Sequence, residues 1–307
     1  MKHRLEYSLV LAVAGVTRLL PVPAVRACGA LIGRLAYRVD SSHRRIALDN
    51  LAHAFPSRSE AERRALAREM FTHFGRLLLE LIKFGSIPRD EMRRRIDVEG
   101  EERVRQAHEQ GRGVLFFTGH FGYWEIHAIA HALVLPNIAV LARPLDNPYL
   151  DSWLEEIRTR TGNSVIYRQG AIRKVLRELI GNRGVAILID QHLHTPDAVY
   201  VDFFRRPAAT TSALAALALR TQAPVIPVFA LPLPNGRYRL IYEHPVDPPR
   251  PDAPDAVKEF TQRCTDVLEM YVRRHPELWL WMHRRWRRQE PAITDPDLSI
   301  DRAEADV

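Results

Sequence analysis

The sequence predicts an α/β protein with a mostly parallel or mixed central sheet flanked by helices, preceded by N-terminal membrane-associating helices. Two observations indicate this fold. From residue 96 onward, short apolar runs alternate with helical patterns, which is typical of βα units around a parallel sheet. Before residue 41, the chain is apolar but interrupted by arginines and prolines. With 307 residues, 46% of them hydrophobic, the chain can bury one large core.

These changes of composition divide the chain into three predicted parts. Residues 1–40 form hydrophobic membrane-associating helices, and residues 41–290 form the α/β domain. Residues 291–307 are acidic and poor in aromatic side chains, which predicts a disordered tail.

The N-terminal apolar run at 8–16 is too short to cross a membrane. Arg18, Pro21, Pro23 and Arg26 interrupt it before it reaches the ~20 apolar residues of a spanning helix. No clear small-x-small cleavage site follows, which argues against a signal peptide. We expect two short helices in the membrane interface, and a buried helical hairpin is the alternative. The predicted anchors are Lys2, His3, Arg4, Arg18, Arg26 and Arg34.

Two helices are predicted before the sheet. Ser41 and Ser42 can cap the first, which ends at Phe55–Pro56. The second opens with Ser57 three residues before Glu60, the spacing of a capping box. Its apolar side chains recur every three or four residues, which predicts one face packed in the core. These side chains are Met70, Phe71, Phe74, Leu77, Leu78, Leu81 and Ile82.

Six strands and five helices are predicted for the rest of the domain. The strands span 114–118, 138–142, 164–167, 185–189, 225–230 and 238–242. The helices span 123–135, 148–161, 171–180, 210–220 and 255–274. In such sheets, reactive groups gather beyond the carboxyl ends of the strands.

Composition restricts the classes of function. Lys and Arg outnumber Asp and Glu by 44 to 37, and the net charge of +7 favours an anionic partner. Phospholipid, a phosphorylated substrate, an acidic carrier protein and nucleic acid are all anionic. Cys28 and Cys264 are too few for a disulfide framework or a thiolate zinc site, and they fit a reducing compartment. Thiol catalysis is therefore not expected.

The segment "FFTGHFGYWE" at 116–125 contains the candidate catalytic pair. The strand ends at Thr118, Gly119 allows a turn, and His120 follows. Glu125 falls in the first turn of the next helix, so its side chain is predicted to meet His120 across the bend. A carboxylate on one imidazole nitrogen leaves the other free to accept a proton from a bound alcohol. A purely structural hydrogen bond is the alternative.

Further candidates for substrate binding follow this turn and the second strand. Gly122 marks a place where the backbone comes close to another group. The Arg143 guanidinium can hold a phosphate at two points, or it can pair with Asp146 or Asp151. Asn147 can bind substrate or cap the following helix.

Two more polar pairs lie at element ends. Asp190 and Gln191 follow another strand, and Thr210 and Thr211 precede a predicted helix. Backbone amides and hydroxyl groups at a helix N-terminus suit anionic ligands, and helix capping is the alternative for the two threonines.

A metal site is not expected, although several histidines are close in sequence. Neither an HExxH motif nor cysteine ligands accompany them. The histidines considered are His192 and His194 with Asp190 and His120, and the i,i+4 pair His127 and His131.

The C-terminal segment combines tryptophans with basic side chains, which suits a lipid headgroup layer or nucleic acid. The apolar N-terminus favours lipid, so no nucleic acid is expected. A basic helix face packed by its tryptophans is the alternative. The residues are Trp279, Trp281 and Trp286 with His283, Arg284, Arg285, Arg287 and Arg288.

The motif "GHFGYWE" resembles the histidine, four residues, acid motif of the lysophospholipid acyltransferase superfamily. The chain is most similar to the bacterial lipid A late-acyltransferase branch of that superfamily, because several further blocks occur in order. They are "RRIALDNLAHAFP" (44–56), "ARPLDNPYLDSWLEEIRTRTG" (142–162), "ILIDQ" (187–191), "FFRRPAATTSALAALALRTQAPVIPVFA" (203–230) and "PELWLWMHRRWRRQ" (276–289).

This resemblance implies an O-acyltransferase in which His120 is the general base and Glu125 its orienting partner. The implied acyl donor is an acyl carrier protein or coenzyme A thioester, with no cofactor. The implied acceptor is a glycolipid such as a lipid A precursor, or else another lysophospholipid or glycolipid. The implied location is the cytoplasmic face of the bacterial inner membrane, with peripheral or monotopic attachment or a single N-terminal anchor. A non-catalytic lipid-binding protein that retains the fold is the alternative, and no oligomeric state is implied.

Overall fold

The computed structural model describes residues 1–167, 170–193, 198–250 and 253–287, and within these ranges it contains eleven α-helices and nine β-strands. The helices are α1 (Lys2–Leu19), α2 (Val22–Val39), α3 (Ser41–Ala54), α4 (Glu60–Phe84), α5 (Arg89–Arg94), α6 (Glu101–Glu109), α7 (Trp124–His131), α8 (Pro148–Thr159), α9 (Ala171–Ile180), α10 (Ala213–Thr221) and α11 (Ala256–Arg274). The strands are β1 (Ile96–Glu99), β2 (Val114–Thr118), β3 (Ile138–Ala142), β4 (Ser164–Tyr167), β5 (Gly184–Leu188), β6 (Ala198–Asp202), β7 (Pro207–Thr211), β8 (Val225–Leu233) and β9 (Arg237–Tyr242). The predicted tail at 291–307 lies outside the described residues.

Seven strands form one sheet in the order β1-β9-β8-β2-β5-β3-β4. Neighbouring strands are parallel except for β8 and β9, which are antiparallel. The predicted class, an α/β protein with a mostly parallel sheet flanked by helices, is confirmed. The strands β6 and β7 form a separate antiparallel pair.

The central strands agree closely with the sequence prediction because they are short, strongly apolar and bounded by turn residues. β2, β3 and β4 have the predicted limits. The sequence predicts no strand at β1, β6 or β7, and "IDVE" of β1 and "PAATT" of β7 lack a clear apolar run. The helix predicted from Thr210 begins only at Ala213, because Thr210 and Thr211 pair with β6.

The long helix α4 is present, but its predicted N-terminal cap is wrong by two residues. Ser59, not Ser57, is the capping residue, and Glu62 takes the place predicted for Glu60. The Glu62 amide donates to the Ser59 hydroxyl at 3.3 Å, and the Ser59 amide donates to the Glu62 carboxylate at 2.7 Å. Both serines have the required spacing, so the motif alone does not choose between them. The apolar face of α4 packs in the core as predicted, except that Leu78 is exposed.

The cap predicted for α3 is wrong by one position. Asp40 accepts a hydrogen bond from the His43 amide at 3.0 Å, whereas Ser41 and Ser42 are already helical.

The N-terminal helices α1 and α2 each have one packed face and one exposed face. α2 packs closely on α4, where a Cβ atom at Gly29 would approach the Arg76 Cα to 2.7 Å, and glycines also meet at Gly33 and Gly75. Leucines and valines remain exposed on the opposite faces. One face of this helix pair is therefore buried, as the helical-hairpin alternative predicts. The other face is available to an apolar surface. Among the described residues, no helix is both long and apolar enough to span a membrane.

Two apolar cores cover the two faces of the sheet. Leu115 and Phe117 of β2 belong to one core, with side chains from α9, α10 and α11. Val114 and Phe116 belong to the other, with side chains from α6 and α7. This alternation along β2 follows from the two-residue period of a strand. The buried strands hold the carboxyl edge of the sheet in place, and the candidate site lies at that edge.

Candidate active site

His120 and Asp190 lie side by side beyond the carboxyl ends of two neighbouring parallel strands. β2 pairs with β5, and Thr118 at the end of β2 is opposite Leu188 at the end of β5. His120 lies two residues beyond the end of β2, and Asp190 lies two residues beyond the end of β5. The register of the sheet thus places an imidazole against a carboxylate.

Asp190 is buried and accepts three hydrogen bonds. Its Oδ1 accepts from Nδ1 of His120 at 2.8 Å, and its Oδ2 accepts from the His120 backbone amide at 2.7 Å. The indole of Trp279 also donates to Oδ2, at 2.8 Å. Although burial alone raises the pKa of Asp190, the charge of His120 and these hydrogen bonds lower it to about 2. Asp190 is therefore an ionised carboxylate that fixes the proton of His120 on Nδ1.

Glycine at position 119 permits this close approach. A Cβ atom at Gly119 would lie 2.8 Å from Oδ2 of Asp190, closer than real Cβ contacts allow. Any larger residue there would displace the carboxylate or the histidine backbone.

The orienting contact predicted for Glu125 is wrong, because Asp190 makes it instead. Glu125 lies in the first turn of α7 as predicted, but its carboxylate is paired with Arg158 of α8. Arg158 donates from Nε to one carboxylate oxygen at 2.8 Å and from Nη2 to the other. The bidentate pair occupies both carboxylate oxygens of Glu125 with a side chain of α8. A catalytic role for Glu125 stays a prediction.

The opposite nitrogen of His120, Nε2, faces the partly exposed side of the site. The amide nitrogen of Gln191 is 3.4 Å from it, and the Trp124 ring lies edge-on with its centroid 5.2 Å from that of His120. Burial lowers the pKa of His120, but the charge and hydrogen bond of Asp190 outweigh burial, so the pKa is raised above 6.5. Glu125 raises it further and Arg158 opposes this. The imidazole can therefore accept a proton at Nε2 and be stabilised as a cation.

The turn after His120 is held by its backbone groups. The Gly122 amide donates to the Leu278 carbonyl at 2.9 Å, and the Gly122 carbonyl accepts from Nε2 of buried His73 at 3.1 Å. Gly122 has φ of 58°, and a Cβ atom there would overlap the Ala230 carbonyl oxygen. Both backbone polar groups of Gly122 are thus used within the protein. Its predicted part in substrate binding stays untested, but the turn itself requires glycine.

A buried carboxylate, Glu80, also holds this turn in place. Glu80 of α4 is 2% exposed and accepts hydrogen bonds from the hydroxyls of Tyr123 at 3.0 Å and Tyr238 at 2.7 Å. Arg26 of α2 donates to it at 3.1 Å. This network joins the N-terminal helices to the residue that follows Gly122. Sequence reasoning missed it because Glu80 is an isolated acid on an apolar face.

Arg143 and Asn147 make the contacts of their structural alternatives. Arg143 is 74% exposed and lies 3.4 Å from Asp146. Asn147 caps α8 by accepting from the amides of Tyr149 at 3.1 Å and Leu150 at 3.4 Å. Its amide also donates to the α1 backbone and to a carboxylate of α1. Asn147 therefore anchors α1 against α8, and binding of substrate by either residue stays a prediction.

Thr210 and Thr211 are strand residues rather than part of an anion-binding helix end. Thr210 is fully buried, donates to the Ala208 carbonyl at 3.0 Å and accepts from Arg285. Thr211 accepts from the Ala213 amide at 3.3 Å. The backbone pairing of β7 with β6 explains why the predicted helix start is displaced.

The tryptophans of the C-terminal segment are internal, so the lipid headgroup function predicted for them is wrong. Trp279, Trp281 and Trp286 are buried, and Trp279 holds Asp190. Arg285 is buried as well and donates to the Ala209 carbonyl at 2.5 Å. The segment is a wall of the candidate site. Arg288 lies outside the described residues.

The two helical histidines of α7 are buried away from solvent. Nε2 of His131 donates to the Pro136 carbonyl at 3.0 Å, and its Nδ1 accepts from the Tyr242 hydroxyl at 2.9 Å. Burial lowers the pKa of His127 and of His131 to about 3. Over the part of the chain that the structure describes, no group of three His, Cys, Asp or Glu side chains could hold a metal. His194 lies outside that part.

Comparison with known proteins gives a consistent match. Residues 1–288 match the family model described as bacterial lipid A biosynthesis acyltransferase. The chain is 30% identical over 278 residues to the lipid A biosynthesis lauroyltransferase of Escherichia coli (strain K12), covering 89% of each chain. It is 28% identical over 269 residues to the myristoyltransferase of the same strain, covering 87% of this chain and 82% of that one. A phosphatidylinositol mannoside acyltransferase of Mycolicibacterium smegmatis is 23% identical over 225 residues, 72% of each chain.

Proposed function

The chain belongs to the family of bacterial lipid A biosynthesis acyltransferases and is an acyltransferase; from this premise we propose that it esterifies a hydroxyl group of a lipid A precursor with a fatty acyl chain. The acyl donor is a thioester of acyl carrier protein or coenzyme A, and no cofactor takes part. The contact between His120 and Asp190 is the observation that supports this proposal most directly.

In the proposed reaction, His120 acts as a general base on the acceptor hydroxyl. The hydroxyl proton passes to Nε2 while the oxygen attacks the thioester carbonyl carbon. Ionised Asp190 stabilises the imidazolium that forms. A base positioned in this way contributes about 10²–10⁴-fold to the rate.

The second half of the reaction returns the proton. The tetrahedral oxyanion collapses, the carbon–sulfur bond breaks, and the imidazolium proton passes to the leaving thiolate. The products are the ester and a free thiol, and His120 is restored. Trp279 and the Asp190 carboxylate keep the imidazole in one orientation through both steps.

Peripheral attachment to the cytoplasmic face of the inner membrane completes the proposal. α1 exposes apolar side chains at three- and four-residue steps, including Leu5, Leu9, Val16 and Leu19. α2 exposes others on its outer side, including Leu35. Such faces favour the lipid interface, and the net charge of +7 favours anionic lipid and an acidic donor.

The test is a transfer assay with the purified protein. It is incubated with acyl carrier protein and coenzyme A thioesters of several chain lengths and with lipid A precursor, lysophospholipid or other glycolipid acceptors. Mass spectrometry then identifies the product. We expect esterified lipid A precursor from the wild type and nearly none from His120→Ala, which should stay folded by circular dichroism but unfold at a lower temperature, because buried Asp190 loses its partner. His244→Ala, a change at an exposed histidine, is the matched control and should retain activity.

Each other result has a distinct meaning. Transfer only to another glycolipid would reject the acceptor but keep the chemistry. Full activity in His120→Ala would reject the mechanism. Lipid binding without transfer to any acceptor would favour the non-catalytic alternative.

A further inference from the structure

A polar cleft lies where the C-terminal ends of α1, α4 and α8 meet. Its volume is about 390 Å³, and its lining residues are Arg18, Lys83, Ser86, Ile87, Pro88 and Arg160. Lys83 follows His73, which holds the catalytic turn, by ten residues of the same helix, or about 15 Å at the helical rise. The cleft is therefore separate from the candidate active site.

The lining of the cleft carries three cations and no acid. Lys83 donates to the Arg18 carbonyl at 2.7 Å, and Arg160 donates to the Gly85 carbonyl. These bonds place positive groups at the C-terminal ends of α1 and α4, where the helix dipole favours them. Helix capping uses one N–H group each of Lys83 and Arg160. The Lys83 ammonium has three N–H donors and the Arg160 guanidinium has five. Most of their donors therefore remain for a ligand.

Arg18 has no such structural use. Within the described ranges, its guanidinium makes neither a hydrogen bond nor an ion pair. Ser86 donates its hydroxyl to the Lys83 carbonyl at 2.8 Å, so the cations are the main donors of the cleft. The charge of Glu91 reaches Lys83, but that carboxylate is paired with Arg95 at 2.5 Å. The cleft thus has an uncompensated positive charge, which suits an anion with several acceptor oxygens.

Exposed apolar side chains at the same end of α1 indicate which kind of anion fits. Leu19 follows Arg18 and is 88% exposed, and Val16 on the same end of α1 is 59% exposed. A free phosphate would make no favourable contact with these apolar side chains. A lipid would place its phosphate among the cations and its acyl chains along the exposed face of α1.

We propose that the cleft formed by Arg18, Lys83 and Arg160 binds the phosphate of an anionic phospholipid at the membrane surface. This inference rests on the membrane attachment in the proposed function and adds a specific headgroup site to it. Bound lipid holds α1, α4 and α8 in place on the membrane, at a distance from His120.

The experiment measures binding of a soluble phospholipid, so that it does not depend on vesicle attachment. Dihexanoylphosphatidylglycerol is titrated into the full chain in non-ionic detergent by calorimetry, and the heat of its addition to protein-free detergent is subtracted. We expect the double variant Arg18→Gln/Lys83→Gln to bind about tenfold more weakly than the wild type, because two charge-assisted contacts are lost. Glutamine keeps an N–H donor for the Arg18 carbonyl.

The matched control is Arg38→Gln/Arg45→Gln, which removes the same charge from exposed positions of α2 and α3. It should bind as the wild type does. Equal weakening in both double variants, or no binding by the wild type, would overturn the proposal. Inorganic phosphate that competes as strongly as the lipid would overturn the assignment to phospholipid. Sedimentation with phosphatidylglycerol vesicles is a separate measurement, and its failure would reject membrane attachment while leaving the titration result intact.

Discussion

Nδ1 of His120 lies 2.8 Å from Oδ1 of Asp190, although the two residues are seventy positions apart in the chain. The parallel pairing of β2 and β5 creates this contact, since each side chain follows the carboxyl end of its strand. The same carboxylate receives the Trp279 indole, so three segments of the chain determine the orientation of one imidazole.

The first prediction concerns the role of Asp190 in orienting His120. Asp190→Asn removes the charge that stabilises the imidazolium and can reverse the tautomer. We expect kcat to fall by about 10²–10⁴-fold with little change in KM for either substrate. Steady-state kinetics measure this, with Asp49→Asn, at an exposed acid of α3, as the control. A loss confined to KM would assign Asp190 to substrate binding instead.

The second prediction concerns pH. Burial lowers the pKa of His120, but Asp190 raises it to a value above 6.5 overall. A general base must be unprotonated to accept a proton, so kcat/KM should rise with pH and level off above this raised pKa. In Asp190→Asn the raising charge is lost, and the midpoint should move to lower pH. A pH–rate profile of both proteins checks the direction, and a midpoint that moves upward would contradict it.

The position of His120 could be predicted from the sequence, whereas its partner could not. A short apolar run followed by Gly119 shows where β2 ends, and residues beyond a strand end share one edge of the sheet. The sequence places Asp190 at a strand end for the same reason. Local patterns do not show the order of the strands, so they do not predict that β2 and β5 are neighbours. The motif therefore indicates Glu125, which is near in sequence, instead of Asp190.

Trp279 is a second residue whose long-range partner the local sequence pattern does not predict. A tryptophan among arginines has the local pattern of a membrane interface, and only the tertiary structure places its indole against a buried carboxylate. The capping residue of α4 is a smaller case, because Ser57 and Ser59 both satisfy the motif. Patterns predicted the elements well and their long-range partners poorly.

The third prediction concerns the ion pair between Glu125 and Arg158. Both side chains are largely buried, so removing one partner leaves an unpaired charge. We expect Glu125→Ala to lower the free energy of unfolding by about 3 kcal/mol. The double variant Glu125→Ala/Arg158→Ala should lose less than the sum of the single changes.

Urea denaturation of the four proteins measures this coupling. Because Asp190, not Glu125, holds the imidazole, kcat should fall less in Glu125→Ala than in Asp190→Asn. The reverse order would restore Glu125 as the more important partner of His120.

The fourth prediction separates two reasons why a position requires glycine: its positive φ and the lack of space for a Cβ atom. Gly122 and Gly111 both have positive φ, of 58° and 69°, but only Gly122 has a backbone carbonyl where Cβ would lie. Gly111→Ala should therefore lower stability by only about 1 kcal/mol, the effect of the left-handed conformation. Gly122→Ala should be clearly more destabilising and should lower kcat, because the Ala230 carbonyl and the turn must move apart. Equal thermal shifts would show that the turn can adapt.

The fifth prediction concerns the exposed face of α1, and it requires single substitutions rather than deletion. Removing α1 and α2 would expose the glycine contacts with α4 and destabilise the domain, so the effect on membrane binding could not be isolated. Leu9 and Leu19 are 66% and 88% exposed, so Leu9→Gln/Leu19→Gln should leave thermal unfolding unchanged. The apolar area lost at the interface should weaken sedimentation with phosphatidylglycerol vesicles by about tenfold. Ile180→Gln on α9 removes a comparable apolar side chain, 83% exposed, and should sediment as the wild type does. If Ile180→Gln weakens sedimentation as much as the α1 variant, attachment is not directed by α1.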